Sequence, residues 1–205
     1  MAVDEALLEA AAGRREPMLR FYSWAEPAAT FGYFQKYKDV ERMTALRPLV
    51  RRPTGGGLVP HACDWTYSLV FPPGTEWYGL NAVESYQRVH AWIAKAFAEA
   101  GLSTHLAPRR ASPSNGQCFI GAEQFDVVWK DRKIAGAAQR RTKQGLLIQG
   151  SIQPPPGIVR SDWEKAFLKV ATVTWEALML DPDLVARVQD IAETKYSRPA
   201  YNQRR

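Results

Sequence analysis

The spacing of apolar residues along the chain predicts one long helix and several shorter ones. The longest is predicted over residues 82–100, before Gly101, a residue type that commonly ends helices. Its apolar side chains recur every three or four positions, at Val83, Tyr86, Val89, Ile93 and Phe97. His90 lies beside this stripe, and we expect it to serve packing rather than chemistry. Shorter helices are predicted at 4–13, 39–46, 162–171 and 183–196.

Runs of β-branched and aromatic residues between these helices predict strands. They lie at 18–25, 30–35, 48–50, 58–60, 66–71, 102–106, 125–129, 133–141 and 146–153. We expect Asp39 to cap the second helix and Gly32 to mark a close approach of two backbones. Because no repeat or domain-sized linker interrupts these elements, the sequence predicts one α/β or α+β domain over residues 1–205.

The segment 51–61 reads RRPTGGGLVPH and joins two of the predicted strands. One glycine is enough for an ordinary hairpin turn, and each further glycine costs additional backbone entropy on folding. Three in a row therefore suggest a backbone that lies flat against a ligand. The adjacent arginines are fixed-geometry donors for phosphate or carboxylate. No Lys-Ser/Thr pair and helix follow the glycines, and no G-x-G-x-x-G spacing is present, so the segment is neither a P-loop nor a dinucleotide fingerprint. The alternative is an ordinary hairpin loop with solvated arginines.

A second run of small residues, Ala135 to Ala138, follows Lys133 in a predicted strand meander. Small side chains leave room for a ligand, so Lys133 is a candidate for a buried functional amine. The alternative is a solvated strand lysine, the usual fate of this residue type. Gln139, Arg140 and Arg141 are weaker candidates, since strand alternation turns some of them outward.

Composition narrows the function classes only a little. The 205 residues include 27 basic and 21 acidic side chains, a formal net charge of +6. Such a charge suits nucleic acid or acidic proteins, but no nucleic-acid-binding signature is evident. No apolar run approaches the roughly 20 residues of a membrane span, and residues 1–15 lack a signal peptide's apolar core. Two cysteines, Cys63 and Cys118, make a disulfide framework improbable and predict a reduced, cytoplasmic protein.

Several stretches, taken in order, resemble the signature of the lipoate–protein ligase A family and its related cysteine-dependent octanoyltransferases. They are RRPTGGGLVPH at 51–61, DWTYS at 64–68, RKIAGAAQRR at 132–141 and QGSI at 149–152. Weaker matches are Trp24 with FGYFQ at 31–35, and Lys195, Tyr196, Asn202, Arg204 and Arg205 near the end. The resemblance covers roughly residues 20–205.

The resemblance implies an α+β fold, the biotin/lipoate protein ligase catalytic domain, with a mixed β-sheet flanked by helices. The ligases that adenylate lipoate usually carry a further small C-terminal domain or use a separate partner protein, whereas here we expect a single catalytic domain over residues 1–205 without a C-terminal accessory domain. Members attach lipoate or octanoate to one lysine of a lipoyl carrier domain or a glycine cleavage H-type protein. Some activate free lipoate with ATP and magnesium as lipoyl-adenylate, and others take octanoate from acyl carrier protein through a cysteine thioester.

The resemblance also implies site residues. Lys133 and Cys118 are the expected catalytic residues, and no metal site is expected. The expected substrate-binding residues are Arg52, Gly55, Gly56, Gly57, His61, Gly136, Ala137 and Ala138. The glycine backbone would flank an acyl chain, Arg52 would hold a phosphate, and Lys133 would stabilise charge on the reacting carbonyl. A thiolate at Cys118 would be favoured by the nearby lysine.

Two departures bear on the mechanism. The ligases often place Asp directly after the motif His, whereas Ala62 follows His61 here and the next acid is Asp64. Cys118, with Phe119 after it, resembles the nucleophile site of the octanoyltransferases, and with the missing accessory domain it favours a transferase over an ATP-dependent ligase. Cys63 is expected to pack. A non-catalytic protein that binds lipoyl or acyl groups remains an alternative. Biotin ligation is a further alternative, but the Arg-rich loop expected of biotin ligases is absent from the sequence. We expect a monomer without nucleic-acid or membrane partners.

Overall fold

A computed structural model gives the structure of residues 1–108 and 121–204. The helices in these ranges are α1 (Ala2–Ala10), α2 (Tyr37–Met43), α3 (Glu76–Gly79), α4 (Ala82–Glu99), α5 (Arg160–Val170), α6 (Pro182–Ile191) and α7 (Pro199–Asn202). The strands are β1 (Met18–Tyr22), β2 (Ala28–Phe31), β3 (Leu49–Arg51), β4 (Val59–His61), β5 (Trp65–Phe71), β6 (His105–Leu106), β7 (Val127–Trp129), β8 (Arg132–Thr142) and β9 (Gly145–Ile152).

The strands form two sheets. The larger has six strands in the order β1-β5-β9-β8-β7-β6, and every neighbouring pair is antiparallel. The smaller has the order β3-β2-β4, in which β2 runs parallel to β3 and antiparallel to β4. The predicted α+β class, with mixed strand directions and flanking helices, is confirmed.

Both faces of the larger sheet are covered, which explains the apolar run 146–148 in β9. Alternate residues of β5 and β9, such as Leu69 and Ile148, pack with α4 and α5 around Trp163. The residues between them, Val70 and Leu147, pack with α1 and α6 on the other side. Because side chains alternate across a strand, a strand buried on both sides shows no polar alternation.

The long helix is confirmed, with small differences at other elements. Asn81 and Glu84 form a capping box before α4, and Gly101 follows at a φ of 82°. Asp39 does not cap α2, which begins two residues earlier at Tyr37.

Two further expectations are corrected. The predicted strand at 30–35 stops at Phe31, because the chain then turns with Gln35 N–H donating to the Gly32 carbonyl. Cys63 is exposed instead of packed.

The adjacent arginines of segment 51–61 have different environments. Arg51 is fully buried, and its guanidinium donates to the carbonyls of Tyr33 and Gln35. It also donates to carbonyls near α7, those of Tyr201, Asn202 and Arg204. Arg51 therefore ties the last helix to the smaller sheet.

None of the helices described for residues 1–108 and 121–204 is long and apolar enough to cross a membrane.

Candidate active site

A largely apolar pocket lies between the two sheets and encloses about 450 Å³, part of it open to solvent. It is lined by Met1, Tyr22, Thr30, Arg52, Val59, His61, Thr66, Lys133, Gly136, Ala137, Ala138, Gln149, Gly150 and Ser151. Six of the predicted site residues, from two separate motifs, are thus brought to one cavity.

One side of the pocket, called here the Lys133 wall, consists of Lys133 and Gly136, which line the pocket, together with Asp126 and Tyr86, which support the lysine. Lys133 Nζ lies 2.8 Å from Asp126 Oδ2, and both side chains are almost fully buried. Asp126 Oδ2 also accepts from the Glu123 backbone N–H at 2.6 Å. The Tyr86 hydroxyl donates to Asp126 Oδ1. A buried charge is retained where it is paired and hydrogen-bonded, and this arrangement meets both conditions.

A β-bulge places Lys133 and Gly136 on the same face of β8. Strict alternation would turn residues three apart to opposite faces. The register between β7 and β8 shifts at Val127 and Val128, where Val127 faces Ala135 but Val128 faces Lys133. An extra residue of this kind reverses the facing of everything beyond it.

Gly136 leaves room for the lysine itself. A Cβ at this position would lie 2.6 Å from Lys133 Cε and 2.8 Å from Nζ. The sequence predicted small residues here because a ligand needs space. The structure adds that the Lys133 amine crosses directly over Gly136 to reach Asp126.

The opposite side of the pocket, called here the His61 wall, consists of Thr30, Arg52, His61 and Asp64. His61 Nδ1 lies 2.8 Å from Asp64 Oδ2, and its Nε2 lies 2.7 Å from Thr30 Oγ1. Trp24 stacks on the imidazole, with ring centroids 4.2 Å apart. The carboxylate that the ligases often place directly after the motif His is therefore supplied here three residues later.

Asp64 is held by further hydroxyl donors. Ser151 Oγ donates to Asp64 Oδ2 at 2.6 Å, and Thr66 Oγ1 donates to it at 3.2 Å. Both hydroxyls come from strands of the larger sheet, so the short His61–Asp64 segment is fixed to the other side of the pocket.

Arg52 joins the His61 wall to the glycine loop. Its guanidinium donates to Thr30 Oγ1 at 2.8 Å and to the carbonyls of Gly55 and Gly57 at 2.9 and 2.7 Å. These bonds draw the loop around the arginine, while its side chain still lines the pocket. The phosphate contact expected of Arg52 stays a prediction.

Within the glycine loop, Gly56 fulfils a packing need that the sequence only partly indicated. Gly56 has a φ of 82°, a conformation that favours glycine. A Cβ on Gly32 would lie 1.9 Å from the Gly56 carbonyl oxygen, which confirms the predicted close backbone approach. Within the described part of the chain, Gly55, Gly56 and Gly57 are not among the lining residues. Their contact with an acyl chain stays a prediction.

Several polar residues of the site were not predicted. Thr30, Tyr86 and Asp126 carry no motif signal, and their partners lie far away in sequence or beyond a bulge. Asp4 is also new: this fully buried carboxylate of α1 accepts from Gln149 Nε2 at 2.7 Å and from Ser68 Oγ at 2.8 Å. The signal for Asp4 was a lone acid in an apolar helix face, which by itself indicates little.

The expected nucleophile Cys118 lies outside the described residues. Among residues 1–108 and 121–204, no group of three or more His, Cys, Asp or Glu side chains is arranged to hold a metal ion. His90, expected to pack, is fully buried on α4 against the Tyr86 ring. Burial lowers the pKa of His90 to about 4, so the imidazole is neutral near pH 7.

Comparison with known structures concerns the fold. The T. acidophilum protein Ta0514 bound to lipoic acid superposes with a TM-score of 0.78 at 19% identity, over 98% of this chain and 91% of that one. A lipoate-protein ligase A bound with ATP superposes with a TM-score of 0.79 at 19% identity, over 98% and 92%. The expected lipoate protein ligase catalytic-domain fold is confirmed.

Comparison with curated sequences concerns the family. An octanoyltransferase LipM from Exiguobacterium sp. (strain ATCC BAA-1283 / AT1b) is 37% identical over 166 residues, which are 74% of this chain and 60% of that protein. One from Geobacillus kaustophilus is 34% identical over 165 residues, or 74% and 59%. The chain thus spans about 60% of the length of these relatives. The model of the lipoyl protein ligase A/B catalytic domain matches residues 1–154. The chain belongs to the lipoyl protein ligase A/B catalytic domain family.

Proposed function

We propose that this protein attaches an octanoyl or lipoyl group to a specific lysine of a lipoyl carrier domain. The observation that carries the proposal is Lys133, an amine that is buried against Asp126 and lines the same pocket as Gly136, Ala137 and Ala138. Relatives with about a third of their residues identical are octanoyltransferases. A buried ammonium beside a cavity lined by small residues fits a reaction at a carbonyl group.

The favoured mechanism passes through a thioester on Cys118. Its thiolate attacks the octanoyl thioester of acyl carrier protein, the carrier's thiolate leaves, and the octanoyl group is transferred to Cys118 Sγ. The deprotonated amine of the lipoyl carrier lysine then attacks this second thioester. An amide forms and the Cys118 thiolate is released, ready to take the proton lost by the amine. No ATP is needed, because one thioester is exchanged for another of similar energy.

Lys133 would stabilise the negative oxygen of both tetrahedral intermediates. A fixed donor in a site shielded from water acts more strongly than the same donor in water. Asp126 keeps the ammonium in place without filling the pocket. His61 and Arg52, which line the opposite side, would fix the position of the acyl carbonyl or of the group that delivers it.

An ATP-dependent lipoate–protein ligase is the second candidate. Arg52 and Lys133 line one pocket from opposite sides, an arrangement that suits the phosphate of a lipoyl-adenylate. The reaction would then need ATP and magnesium, and Cys118 would be dispensable. A non-catalytic binder of lipoyl or acyl groups is disfavoured, because it would have no use for the buried Lys133–Asp126 pair.

The acceptor is a lipoyl carrier domain or a glycine cleavage H-type protein, and the donor is acyl carrier protein if the transferase holds. We expect these partners to be acidic, since the chain has a net charge of +6. Such steering weakens as the Debye length falls from about 10 Å at 0.1 M salt to about 3 Å at 1 M. A cytoplasmic location agrees with these partners.

Intact-mass spectrometry tests the proposal. Apo carrier domain is mixed with the protein and either octanoyl–acyl carrier protein or lipoate with ATP and magnesium. An octanoyl mass shift without ATP supports the transferase, and an ATP-dependent lipoyl shift supports the ligase. If the carrier domain is modified with none of the acyl donors, the non-catalytic binder is the remaining candidate.

Two variants assign the residues. Lys133→Ala is expected to lower the rate by roughly 10²–10³, the range seen when one oxyanion donor is removed. A hydroxylamine-labile octanoyl adduct on Cys118, absent in Cys118→Ser, supports the thioester. Near-normal acylation by Lys133→Ala, or ATP-dependent acylation that survives Cys118→Ser, contradicts these assignments.

A further inference from the structure

Tyr86 lies on α4, outside every motif of the family resemblance, yet it reaches the site. Its hydroxyl donates to Asp126 Oδ1. The Tyr86 hydroxyl oxygen also lies 3.5 Å from the backbone nitrogen of Ala137, a residue that lines the pocket. The helix therefore contacts both the carboxylate that holds Lys133 and the strand β8, which lines the pocket.

Asp126 is fixed by donors on both carboxylate oxygens. Oδ2 receives Lys133 Nζ and the Glu123 N–H, and Oδ1 receives the Tyr86 hydroxyl. A carboxylate held on only one oxygen can rotate about its last bond. Tyr86 removes that freedom, so the position of the Lys133 amine is determined by α4 as well as by β8.

The histidine that packs against Tyr86 carries no charge that could compete for Asp126. His90 packs against the Tyr86 ring with centroids 4.0 Å apart, and its Nδ1 lies 2.8 Å from the Tyr86 carbonyl. A carbonyl only accepts, so Nδ1 carries the hydrogen, and the imidazole is neutral as burial requires. Burial and the nearby Asp126 also raise the pKa of Tyr86 well above its ordinary value, so its hydroxyl remains a donor.

We propose that Tyr86 is a positioning residue for Lys133, acting through Asp126 to fix where the ammonium meets the acyl carbonyl. The inference rests on the proposed function for its catalytic consequence, but the placement of the amine can be measured without it. A displacement of about 1 Å in a reacting group costs up to roughly 10² in rate. Losing one of three donors should permit a smaller displacement than that.

The test uses Tyr86→Phe, which keeps the ring packed on His90 and removes only the hydroxyl. Tyr78→Phe is the matched control, because it also removes a hydroxyl that donates to protein, here at 3.0 Å to the Thr142 carbonyl. In carrier acylation, Tyr86→Phe is expected to lower kcat roughly tenfold with KM within about twofold. Tyr78→Phe should leave both unchanged.

A double-mutant cycle separates positioning from packing. If Tyr86 acts through Asp126, then Tyr86→Phe should have little further effect on kcat in an Asp126→Asn background. If Tyr86 only packs α4 against the sheet, its effect will be the same in both backgrounds. Equal effects would overturn the proposal.

A labelling experiment measures the amine directly and needs no acylation activity. Acetic anhydride is applied briefly, and the acetylation of Lys133 is divided by that of the exposed Lys165 in the same sample. A less restrained Asp126 releases the amine more often, so Tyr86→Phe should raise this ratio roughly tenfold, the factor that corresponds to about 1.5 kcal/mol for one lost hydrogen bond to a charged group. An unchanged ratio overturns the proposal. If the wild type modifies no carrier but the ratio rises, the proposed function fails and the positioning role stands.

Discussion

The two walls of the pocket use the same device, a basic side chain paired with a buried carboxylate, but they assemble it differently. His61 and Asp64 are three residues apart, at 2.8 Å, and share one short segment. Lys133 and Asp126, also at 2.8 Å, sit on opposite sides of a tight turn and depend on a bulge between them. The His61–Asp64 pair is thus local in sequence, whereas the arrangement around Lys133 needs two strands and a helix.

The walls also differ in how easily they can move. On the His61 side, Gly32 meets the backbone of Gly56, where a Cβ would lie 1.9 Å from the carbonyl oxygen. On the Lys133 side, the atoms closest to a Cβ on Gly136 belong to the flexible end of a lysine. The His61 wall therefore serves mainly as scaffold, whereas a methyl group on the Lys133 wall would displace the Lys133 amine and no backbone. Changes to the first should chiefly affect stability, and changes to the second should chiefly affect rate.

The largest expected effect is that of Asp64→Asn on the His61 wall. The change keeps the shape of the side chain but removes the charge that His61, Thr66 and Ser151 face. Breaking a buried pair in this way should lower the free energy of unfolding by about 3 kcal/mol. Urea unfolding followed by circular dichroism measures it.

Asp162→Asn provides the matched control for that experiment. Asp162 pairs with Lys165 at 3.9 Å, and both side chains are exposed. A solvated pair contributes little, so the stability should change by about 0.5 kcal/mol or less. Equal losses in the two variants would show that the His61 wall is not the scaffold inferred here.

A second prediction concerns pH and the histidine behind the Lys133 wall. The pKa of His90 is lowered from 6.5 to about 4 by burial. The unfolded chain therefore binds a proton below about pH 6.5 while the folded chain does not, so stability falls as the pH drops from 6.5 to 4. The loss should reach roughly 3 kcal/mol at the lower end.

His90→Gln should remove this part of the pH dependence. The measurement compares urea midpoints of the variant and wild type at several pH values from 7 to 4, because acidic groups contribute equally to both. His105→Gln, at an exposed position, should retain the wild-type slope. A wild-type slope in His90→Gln would contradict the lowered pKa.

The third prediction tests the Lys133 wall directly. Gly136→Ala places a methyl group where the Lys133 amine now lies, so the amine must shift while the fold remains. Carrier acylation should fall roughly 100-fold, equivalent to about 2.7 kcal/mol in the barrier. The free energy of unfolding should change by about 1 kcal/mol or less, since a flexible side-chain end can move.

Gly79→Ala is the control for Gly136→Ala. A Cβ there meets nothing within 4 Å, and α3 ends at this residue. Its rate and stability should resemble those of the wild type. If Gly136→Ala unfolds the protein instead of slowing it, the Lys133 wall is as rigid as the His61 wall.

The same contrast explains how much the sequence could predict. Periodicity predicted α4, and the strand runs predicted the meander, because local spacing sets both. The motif resemblance identified Lys133, His61 and Arg52, all of which line the pocket. The spacing also pointed to Asp64 as the nearest acid after His61.

The partners on the Lys133 wall could not be found in this way. Asp126 faces Lys133 only because a bulge shifts the register of β8, and no residue type marks that bulge. In the sequence Tyr86 is one member of an apolar helix stripe. The contact of its hydroxyl with Asp126 can be seen only once α4 is packed against the sheet. Arg51 and Arg52 looked alike in sequence, yet one holds α7 and the other lines the pocket. Tertiary contacts decide these cases.

The smallest expected effect refines the description of the His61 wall as a scaffold built from several donors. Ser151 Oγ donates to Asp64 Oδ2 at 2.6 Å, and Ser151→Ala removes that donor while His61 and Thr66 remain. A hydrogen bond to a charged group contributes about 1.5 kcal/mol or more, and the remaining donors should limit the loss to about that value. Urea unfolding of Ser151→Ala, Asp64→Asn and the double variant measures it. Because the serine acts through the carboxylate, the double variant should be no less stable than Asp64→Asn alone. Additive losses would mean that Ser151 stabilises β9 independently, and that the two sheets are not joined through Asp64.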